Sequence, residues 1–257
     1  MLKVKKIDEI KLIKVFDKLD LDKTEFLFIA SDLGSLGIVN NKAYTLDLVF
    51  NLLKNYNKNI NLVVPTATFN LIQSRMIFDI NNTRSFKMGA FSEYLRKKEN
   101  SFRSFHPIWS LCAIGPKANH LFNDVSTHAY DMNSSFARLF EKDFSFLALG
   151  KHPRFMLSII HHLEHVNKVP YRFKKGFKMK FVQKEKIIEQ DFYLDVLKEE
   201  FRYKPRARNK KIFKYFEQNY KYNEFKINDG YIYKFRLDDF KESTNNLMKK
   251  DPYCWFK

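Results

Sequence analysis

The sequence is poor in cysteine, glycine and proline. Its 257 residues include two cysteines, Cys112 and Cys254, which are far apart and show no metal-type spacing. This excludes a disulfide scaffold and a cysteine-rich zinc module. Only 7 glycines and 7 prolines are present, which excludes a collagen-like or low-complexity disordered chain.

Long apolar runs are also missing. No stretch reaches the roughly 18 uncharged apolar residues that a membrane span needs. Charges recur every two or three residues over positions 1–23, so this segment does not resemble a secretory signal. We therefore expect no membrane span and a cytoplasmic location.

What the chain does have is apolar and aromatic residues, with 45% hydrophobic residues, 27 Phe and 13 Tyr. That is enough for one large core. Short apolar runs predict strands, and runs with a period of three or four predict helices. We expect strands at 25–30, 60–68, 109–115 and 144–150, helices at 7–19 and 43–56, and a hairpin over 222–240. This alternation predicts an α/β fold, a single layered αβα domain over 1–257 with a central, largely parallel or mixed sheet.

The net charge is +17, and the basic residues are concentrated in two stretches. Eight basic residues and one acid occupy 168–186, and seven basic residues and no acid occupy 202–214. Such surfaces favour anionic partners and disfavour a polycationic substrate. We expect region 168–257 to be a basic, aromatic subregion that covers the acceptor. Its aromatic residues could stack on a nucleobase, although most are expected in the core (Tyr171, Phe173, Phe177 and Tyr203).

The segment 158–166 carries the best candidate for acid–base chemistry. On a helix, His161 and Glu164 are three apart and share a face. A carboxylate beside a neutral imidazole stabilises the imidazolium that forms when the ring takes a proton. The same letters spell H-x-x-E-H with His165, a zinc-peptidase pattern in which both histidines would ligate the metal. Without a third ligand this pattern is weak.

Three further segments place polar residues at loops and strand ends. Arg103 and Ser104 precede His106-Pro107 and fit a phosphate clamp. Residues 29–37 and Thr66 and Thr68 follow apolar strands, where open α/β sheets bind ligands.

Taken in order, these segments resemble the aminoglycoside 3-N-acetyltransferase family from Phe26 to Glu164. The matching motifs are IASDLGSLG (29–37), VPTAT (64–68), R-S-x-H-P-x-x-S (103–110), AIGPKANHL (113–121), NSSF (133–136) and S-x-x-H-x-x-E (158–164). The chain departs from the family pattern at Ala30, at Asn40-Asn41 and at Ser135.

The resemblance implies a site that uses acetyl-CoA or another short acyl-CoA and no metal. It implies catalysis by His161 and Glu164 and acceptor contacts from Ser134 and His162. The residues expected to hold the CoA are Ser31, Asp32, Leu33, Thr66, Thr68, Arg103, Ser104, His106 and Ser110.

The chemistry expected is direct attack of a sugar amine on the thioester, with His161 as base. Glu164 either orients the imidazole or contacts the acceptor, and the sequence leaves both alternatives open. Backbone N–H groups or Ser110 could stabilise the oxyanion. Cys112 lies in mid-strand, so we expect it to be buried and to form no acyl-enzyme.

The positive charge favours a dTDP- or UDP-linked amino sugar, acylated for surface polysaccharide, over an aminoglycoside. A zinc peptidase and a nucleic-acid-binding module are the alternatives from other classes, although we expect no nucleic-acid partner. The oligomeric state is open, with a homodimer as one alternative.

Overall fold

The computed structural model describes residues 5–74, 76–205 and 209–256. Its helices are α1 (Glu9–Phe16), α2 (Leu33–Leu36), α3 (Lys42–Tyr56), α4 (Ala90–Arg96), α5 (Ala118–Leu121), α6 (Ser135–Arg138), α7 (Ile160–Val166), α8 (Lys210–Asn219) and α9 (Leu237–Lys250). The strands are β1 (Phe26–Ser31), β2 (Asn61–Pro65), β3 (Phe102–Arg103), β4 (Leu111–Ile114), β5 (Phe144–Gly150), β6 (Arg172–Gln183), β7 (Lys186–Leu197), β8 (Asn223–Ile227) and β9 (Gly230–Arg236). None of the helices in these ranges is long and apolar enough to cross a membrane.

Seven strands form one central sheet in the order β3-β4-β2-β1-β5-β9-β8. The inner strands β2, β1 and β5 run parallel, whereas β4 and β9 pair antiparallel with β2 and β5. The predicted α/β class is confirmed, and the sheet is mixed.

Side chains alternate between two apolar layers along the central strands. In β1, Phe26 and Phe28 face one layer while Leu27 and Ile29 face the other. The first layer is covered by α6, α7, α8 and α9, and the second by α1, α3 and α4. Because both faces of β1 and β5 are covered, every residue of these strands is buried. This explains why their sequences are continuous apolar runs.

The C-terminal region is built into the same sheet. Strands β8 and β9 form the hairpin expected over 222–240, and Asn228 turns it with a left-handed φ of 52°. Strand β9 then pairs with Ser145–Gly150 of β5. This shared sheet supports the prediction of one domain.

A long hairpin of β6 and β7 lies outside the central sheet. Met179, Phe181, Phe192 and Leu194 anchor one side of it in the first layer. The lysines of β6 are exposed, and Lys178 and Lys180 alternate with Phe177, Met179 and Phe181. This period of two is typical of a strand, and the sequence predictions missed it.

Candidate active site

A cleft of about 1360 Å³ opens where β1 and β5 end. These parallel strands finish side by side, with Ser31 opposite Leu149. The cleft is lined by Ser31 and Asp32 after β1 and by His161 on α7. Ligands of open α/β sheets bind at this edge, so the cleft is the candidate active site.

Two glycines let the chain pack tightly behind the cleft. Gly150 ends β5 with a φ of 119°, and a Cβ there would lie 1.9 Å from the carbonyl oxygen of Asp32. Gly89 has a φ of 90°, and its Cβ would lie 2.3 Å from the carbonyl oxygen of Ser31. No other residue fits either position without moving the Ser31-Asp32 segment.

His161 and Glu164 form the hydrogen-bonded pair that their spacing predicts. Nδ1 of His161 lies 2.7 Å from Oε2 of Glu164. The His161 side chain is 20% exposed and reaches the cleft, whereas that of Glu164 is fully buried. Glu164 therefore bonds the imidazole from the protein interior, and it does not line the cleft.

Arg172, the first residue of β6, completes this group. Its Nε lies 2.7 Å from Oε2 of Glu164, and its Nη2 lies 3.0 Å from Nδ1 of His161. The Tyr171 hydroxyl donates to Oε1 of Glu164 over 2.9 Å. The buried carboxylate is thus compensated by one cation and accepts bonds on both oxygens.

The charges in this group favour an ionised Glu164 and a neutral His161. Burial raises the pKa of Glu164, but the Arg172 charge and hydrogen bonds from His161 and Tyr171 outweigh it and lower the pKa below its usual value. Burial and the Arg172 charge lower the pKa of His161, against the opposing influence of Glu164. A neutral ring that donates from Nδ1 leaves the Nε2 lone pair free for a substrate proton.

Three aromatic rings enclose the imidazole. Ring centroids of Tyr130, Trp255 and Trp109 lie 5.4, 5.8 and 6.5 Å from that of His161. Trp109 and Trp255 also line the cleft. These rings shield the imidazole from water, which strengthens its electrostatic interactions.

Two hydroxyls in the cleft wall have unmet hydrogen-bonding capacity. Oγ of Ser31 and Oγ of Ser158 are buried and have no hydrogen-bond partner. A buried hydroxyl without a partner is costly unless a ligand or water satisfies it. These two atoms are the best placed to bind an oxygen of a substrate.

Arg103 is held by the protein and does not line this cleft. Its guanidinium donates to the carbonyl oxygens of Thr66, Ile80 and Thr83 and to Oγ of Ser110. The Ser110 hydroxyl in turn donates to the Thr66 carbonyl oxygen. The structure thus gives both side chains a role in joining β2, β4 and the 80–83 loop, and their contact with CoA stays a prediction.

The other residues expected to contact CoA fall into two groups, those that line the cleft and those whose contacts lie within the protein. Ser31 and Asp32 line the cleft, where Asp32 pairs with Lys151 at 2.6 Å. Internal hydrogen bonds occupy Thr66, Thr68, Ser104 and His106, and Leu33 packs against the second apolar layer. Nδ1 of His106 accepts two backbone N–H groups, and burial lowers its pKa to about 3.

The two residues expected at the acceptor also lie away from the cleft lining. Ser134 caps α6, because its hydroxyl accepts from the Ala137 N–H and donates to the Asp131 carbonyl oxygen. Nδ1 of His162 bonds the Tyr130 carbonyl oxygen at 2.8 Å, and its ring stacks on Phe140. Both side chains therefore have structural contacts in the protein, and their contact with the acceptor stays a prediction.

Cys112 is buried in β4, as expected from its position in mid-strand. Burial raises the pKa of its thiol to about 11. The thiol therefore stays protonated near neutral pH, and it does not line the cleft.

The zinc-peptidase pattern does not assemble into a metal centre in the described part of the chain. Glu164 is too buried to activate a water, and Nδ1 of His165 bonds Asp195 at 2.6 Å instead of joining His161. His165, Asp195 and His128 do come together. However, Nδ1 of His128 accepts the Tyr130 N–H, so neutral His128 carries its proton on Nε2, the nitrogen that faces Asp195.

The basic stretches contribute less to the cleft than expected. No residue of 168–186 lines it, and Arg172 turns inward to Glu164. From 202–214, Lys204 and Asn209 line it, and residues 206–208 lie outside the described chain. Tyr171 is fully buried, whereas Tyr203 is 91% exposed. The argument for an anionic acceptor from these stretches is therefore weakened.

Sequence reasoning missed Arg172 and Trp255. Arg172 lies in the basic stretch assigned to phosphate binding, and no local periodicity distinguishes it from the lysines around it. Trp255 is far from the motifs in sequence and reaches the site only through the fold. Neither leaves a signal in a single sequence.

Comparison with known proteins connects this geometry to a family. The family model described as aminoglycoside 3-N-acetyltransferase matches residues 28–249. The comparison with curated protein sequences gives no match.

Several solved structures share the fold. The YokD protein from Bacillus subtilis superimposes with a TM-score of 0.78 at 18% identity, covering 96% of this chain and 95% of that one. AAC-IIIb, described in a binary complex with CoASH, gives 0.78 at 17% identity, with 95% and 97% coverage. AAC-VIa, described bound to sisomicin, gives 0.79 at 17% identity, with 95% and 98% coverage.

The family match spans most of the chain, far beyond the segment in which the motifs were recognised. It confirms the acetyltransferase class expected from those motifs. This chain belongs to the aminoglycoside 3-N-acetyltransferase family.

Proposed function

We propose that the chain is a CoA-dependent N-acetyltransferase in which His161 removes the proton from the acceptor amine. The observation that carries this proposal is the His161–Glu164 pair, whose imidazole reaches the cleft while its carboxylate is buried. An amine attacks only when it is neutral, so a base at this position is what the reaction requires.

The cleft suits an acyl-CoA. Acetyl-CoA, or another short acyl-CoA, would supply a thioester whose thiol, with a pKa of about 8.5, is a good leaving group. The unpartnered hydroxyls of Ser31 and Ser158 can donate to a carbonyl oxygen. The cleft also carries Lys87, Lys151, Arg154 and Lys204, which suit phosphate groups. AAC-IIIb, the relative described with CoASH, has the same fold.

Proton movement follows from the tautomer of His161. The acceptor nitrogen bonds to the thioester carbonyl carbon and the carbon–sulfur bond breaks, while the amine proton moves to Nε2 of His161. Glu164 stabilises the resulting imidazolium through Nδ1–H. The same proton then passes to the departing thiolate, which restores the neutral base. Cys112 takes no part in this direct transfer.

For the acceptor, we favour an aminoglycoside-type amine over the nucleotide-linked sugar expected from the charge. The matching family model carries that substrate in its description, and AAC-VIa is described bound to sisomicin. The charge argument has lost much of its basis, because no residue of 168–186 lines the cleft.

A nucleotide-linked amino sugar, acylated for surface polysaccharide, is the second candidate. The observation that favours it is the charge of the cleft, where four cations face Asp32 and Asp229. Lys151 pairs with Asp32, and Lys5 pairs with Asp229. Free carboxylates for a polycationic acceptor are thus scarce among the described cleft residues. The CoA phosphates would use part of this positive charge.

The experiment is release of free thiol from acetyl-CoA with two acceptor panels, one of aminoglycosides and one of dTDP- and UDP-linked amino sugars. We expect turnover with aminoglycosides that is lost in His161→Ala. Turnover with nucleotide-linked sugars alone would establish the second candidate. Turnover with neither panel would contradict the assignment of acetyl-CoA or of these acceptors. A cytoplasmic location and a homodimer stay predictions.

A further inference from the structure

Two groups compete for one nitrogen of His161. Oε2 of Glu164 lies 2.7 Å from Nδ1 and Nη2 of Arg172 lies 3.0 Å from it. A ring nitrogen either donates or accepts in its plane. If Nδ1 accepts from Arg172, the proton sits on Nε2 and the ring cannot act as a base towards the cleft. If Nδ1 donates to Glu164, Nε2 is free.

The charge of Arg172 determines whether Nδ1 of His161 donates to Glu164. Glu164 is fully buried, and an ionised carboxylate in that position needs a compensating charge. Without Arg172, the carboxylate would be neutralised by a proton of its own or by one drawn onto His161. In the first case it would stop accepting from Nδ1. In the second, the imidazolium would already carry the proton that it has to receive.

Arg172 is fixed from three sides in the position that prevents both outcomes. Its Nε is 2.7 Å from Oε2 of Glu164, and its Nη1 donates to the carbonyl oxygen of Asp195 over 3.0 Å. The guanidinium carbon lies 4.7 Å from the ring centre of Trp255, a cation–π contact. The side chain is only 9% exposed, so solvent screens its charge little.

We propose that Arg172 is a positioning residue that acts through Glu164. Arg172 keeps the Glu164 carboxylate ionised and aligned on Nδ1 of His161. His161 is therefore a neutral base with Nε2 available to the cleft. This inference rests on the proposed role of His161. It assigns Arg172 to the active-site machinery, although Arg172 does not line the cleft.

The other charged and titratable groups around His161 are few and lie on separate elements. Asp195 on β7 raises the pKa of His161 weakly, and the buried phenol of Tyr130 contacts the ring from the loop before α6. Tyr171 bonds Glu164 from the residue before β6. Among the described residues around His161, Arg172 is the cation that opposes the effect of the Glu164 and Asp195 carboxylates on the pKa of His161.

The test is nitrogen-15 NMR of the histidine side chains as a function of pH, with the His161 signals assigned by their loss in His161→Gln. Nitrogen shifts report the tautomer and the titration midpoint directly, without any turnover. In the wild type we expect the Nδ1–H tautomer and a midpoint below the ordinary value of about 6.5. In Arg172→Gln we expect the midpoint to rise by about one pH unit or more, because a neighbouring cation shifts it by that amount.

Arg172→Lys is the conservative variant. It keeps the charge and is expected to hold the midpoint low. Tyr171→Phe is the matched control, since it removes a hydrogen bond from the same carboxylate without changing any charge, and we expect a smaller shift. In Arg172→Gln, the pH at which kcat/KM falls on the acidic side of its pH profile should rise together with the NMR midpoint. If Arg172 were only structural, its substitution would lower activity at every pH without changing the pH at which kcat/KM falls.

An unchanged His161 midpoint together with an unchanged Nδ1–H tautomer in Arg172→Gln would overturn the proposal. If that variant does not fold, the wild type decides alone: a dominant Nε2–H tautomer, or a midpoint at or above about 6.5, would equally overturn it. Inactivity of the wild type with both acceptor panels would count against the proposed function only, because the NMR readout needs no substrate.

Discussion

Nδ1 of His161 lies 2.7 Å from a carboxylate oxygen of Glu164, and only the histidine of this pair lines the cleft. Glu164 is fully buried, so its effect on the reaction passes through the imidazole. In the proposed mechanism, His161 meets the substrate and Glu164 sets the protonation of His161. The predictions below separate these roles from purely structural ones.

His161→Ala is expected to lower kcat by about 100- to 10,000-fold, the usual contribution of a general base. The fold should be retained, because the side chain is partly exposed at the cleft. Thiol release and a thermal melt measure the two quantities. His120→Ala, at an exposed histidine of α5, is the control and should change neither.

Glu164→Gln is expected to reduce the free energy of unfolding by about 3–5 kcal/mol at neutral pH, because it leaves the Arg172 charge buried without its partner. The pH dependence gives a second measurement. The pKa of Glu164 is lowered in the folded state, so its contribution is present above the unfolded value of about 4.3 and is lost as pH falls through the folded value. Denaturant unfolding should therefore show a shallower loss of stability with acid in Glu164→Gln than in the wild type. Equal slopes would argue against the pairing.

Ser158→Ala is expected to change the KM for acetyl-CoA, whereas Ser134→Ala is expected to change stability. The Ser158 hydroxyl is buried and has no partner in the protein, so its removal should not lower stability and should raise the KM for acetyl-CoA. The Ser134 hydroxyl caps α6, so its removal should cost about 1 kcal/mol of stability and leave KM unchanged. Denaturant unfolding and initial-rate kinetics on both variants test this pair. A KM change confined to Ser134→Ala would contradict it.

Cys112→Ala should retain turnover, because the buried thiol is protonated near neutral pH and lies outside the cleft. The loss of a small buried side chain is expected to cost about 1 kcal/mol. Thiol release and unfolding by denaturant are the measurements. A folded but inactive Cys112→Ala protein would mean that an acyl-enzyme forms.

Gly150→Ala should destabilise the protein by about 3 kcal/mol, because its Cβ would collide with the Asp32 carbonyl oxygen. It should also raise the KM for acetyl-CoA by displacing the Ser31-Asp32 segment. The matched control is Gly34→Ala in α2, whose Cβ would lie at an ordinary 3.6 Å from Oδ1 of Asp32. A stable Gly150→Ala protein with normal KM would contradict the tight packing of these segments.

Local patterns in the sequence predict the elements that are buried on both faces and the pair that shares one helical turn. The apolar runs of β1 and β5 and the spacing of His161 and Glu164 are of this kind. Arg103 shows the limit: its sequence context fits a phosphate clamp, but its guanidinium bonds three backbone carbonyls. Which acceptors an arginine meets depends on tertiary contacts that a single sequence does not encode.

The position of β5 has a consequence for how the protein is made. All seven of its residues are buried. Six of them pair with β1, synthesised more than a hundred residues earlier, and six pair with β9, synthesised some eighty residues later. A growing chain on the ribosome therefore displays an apolar strand with one open edge until β9 emerges. Open apolar edges template aggregation. Chaperone protection during translation should matter more for this protein than its final stability suggests.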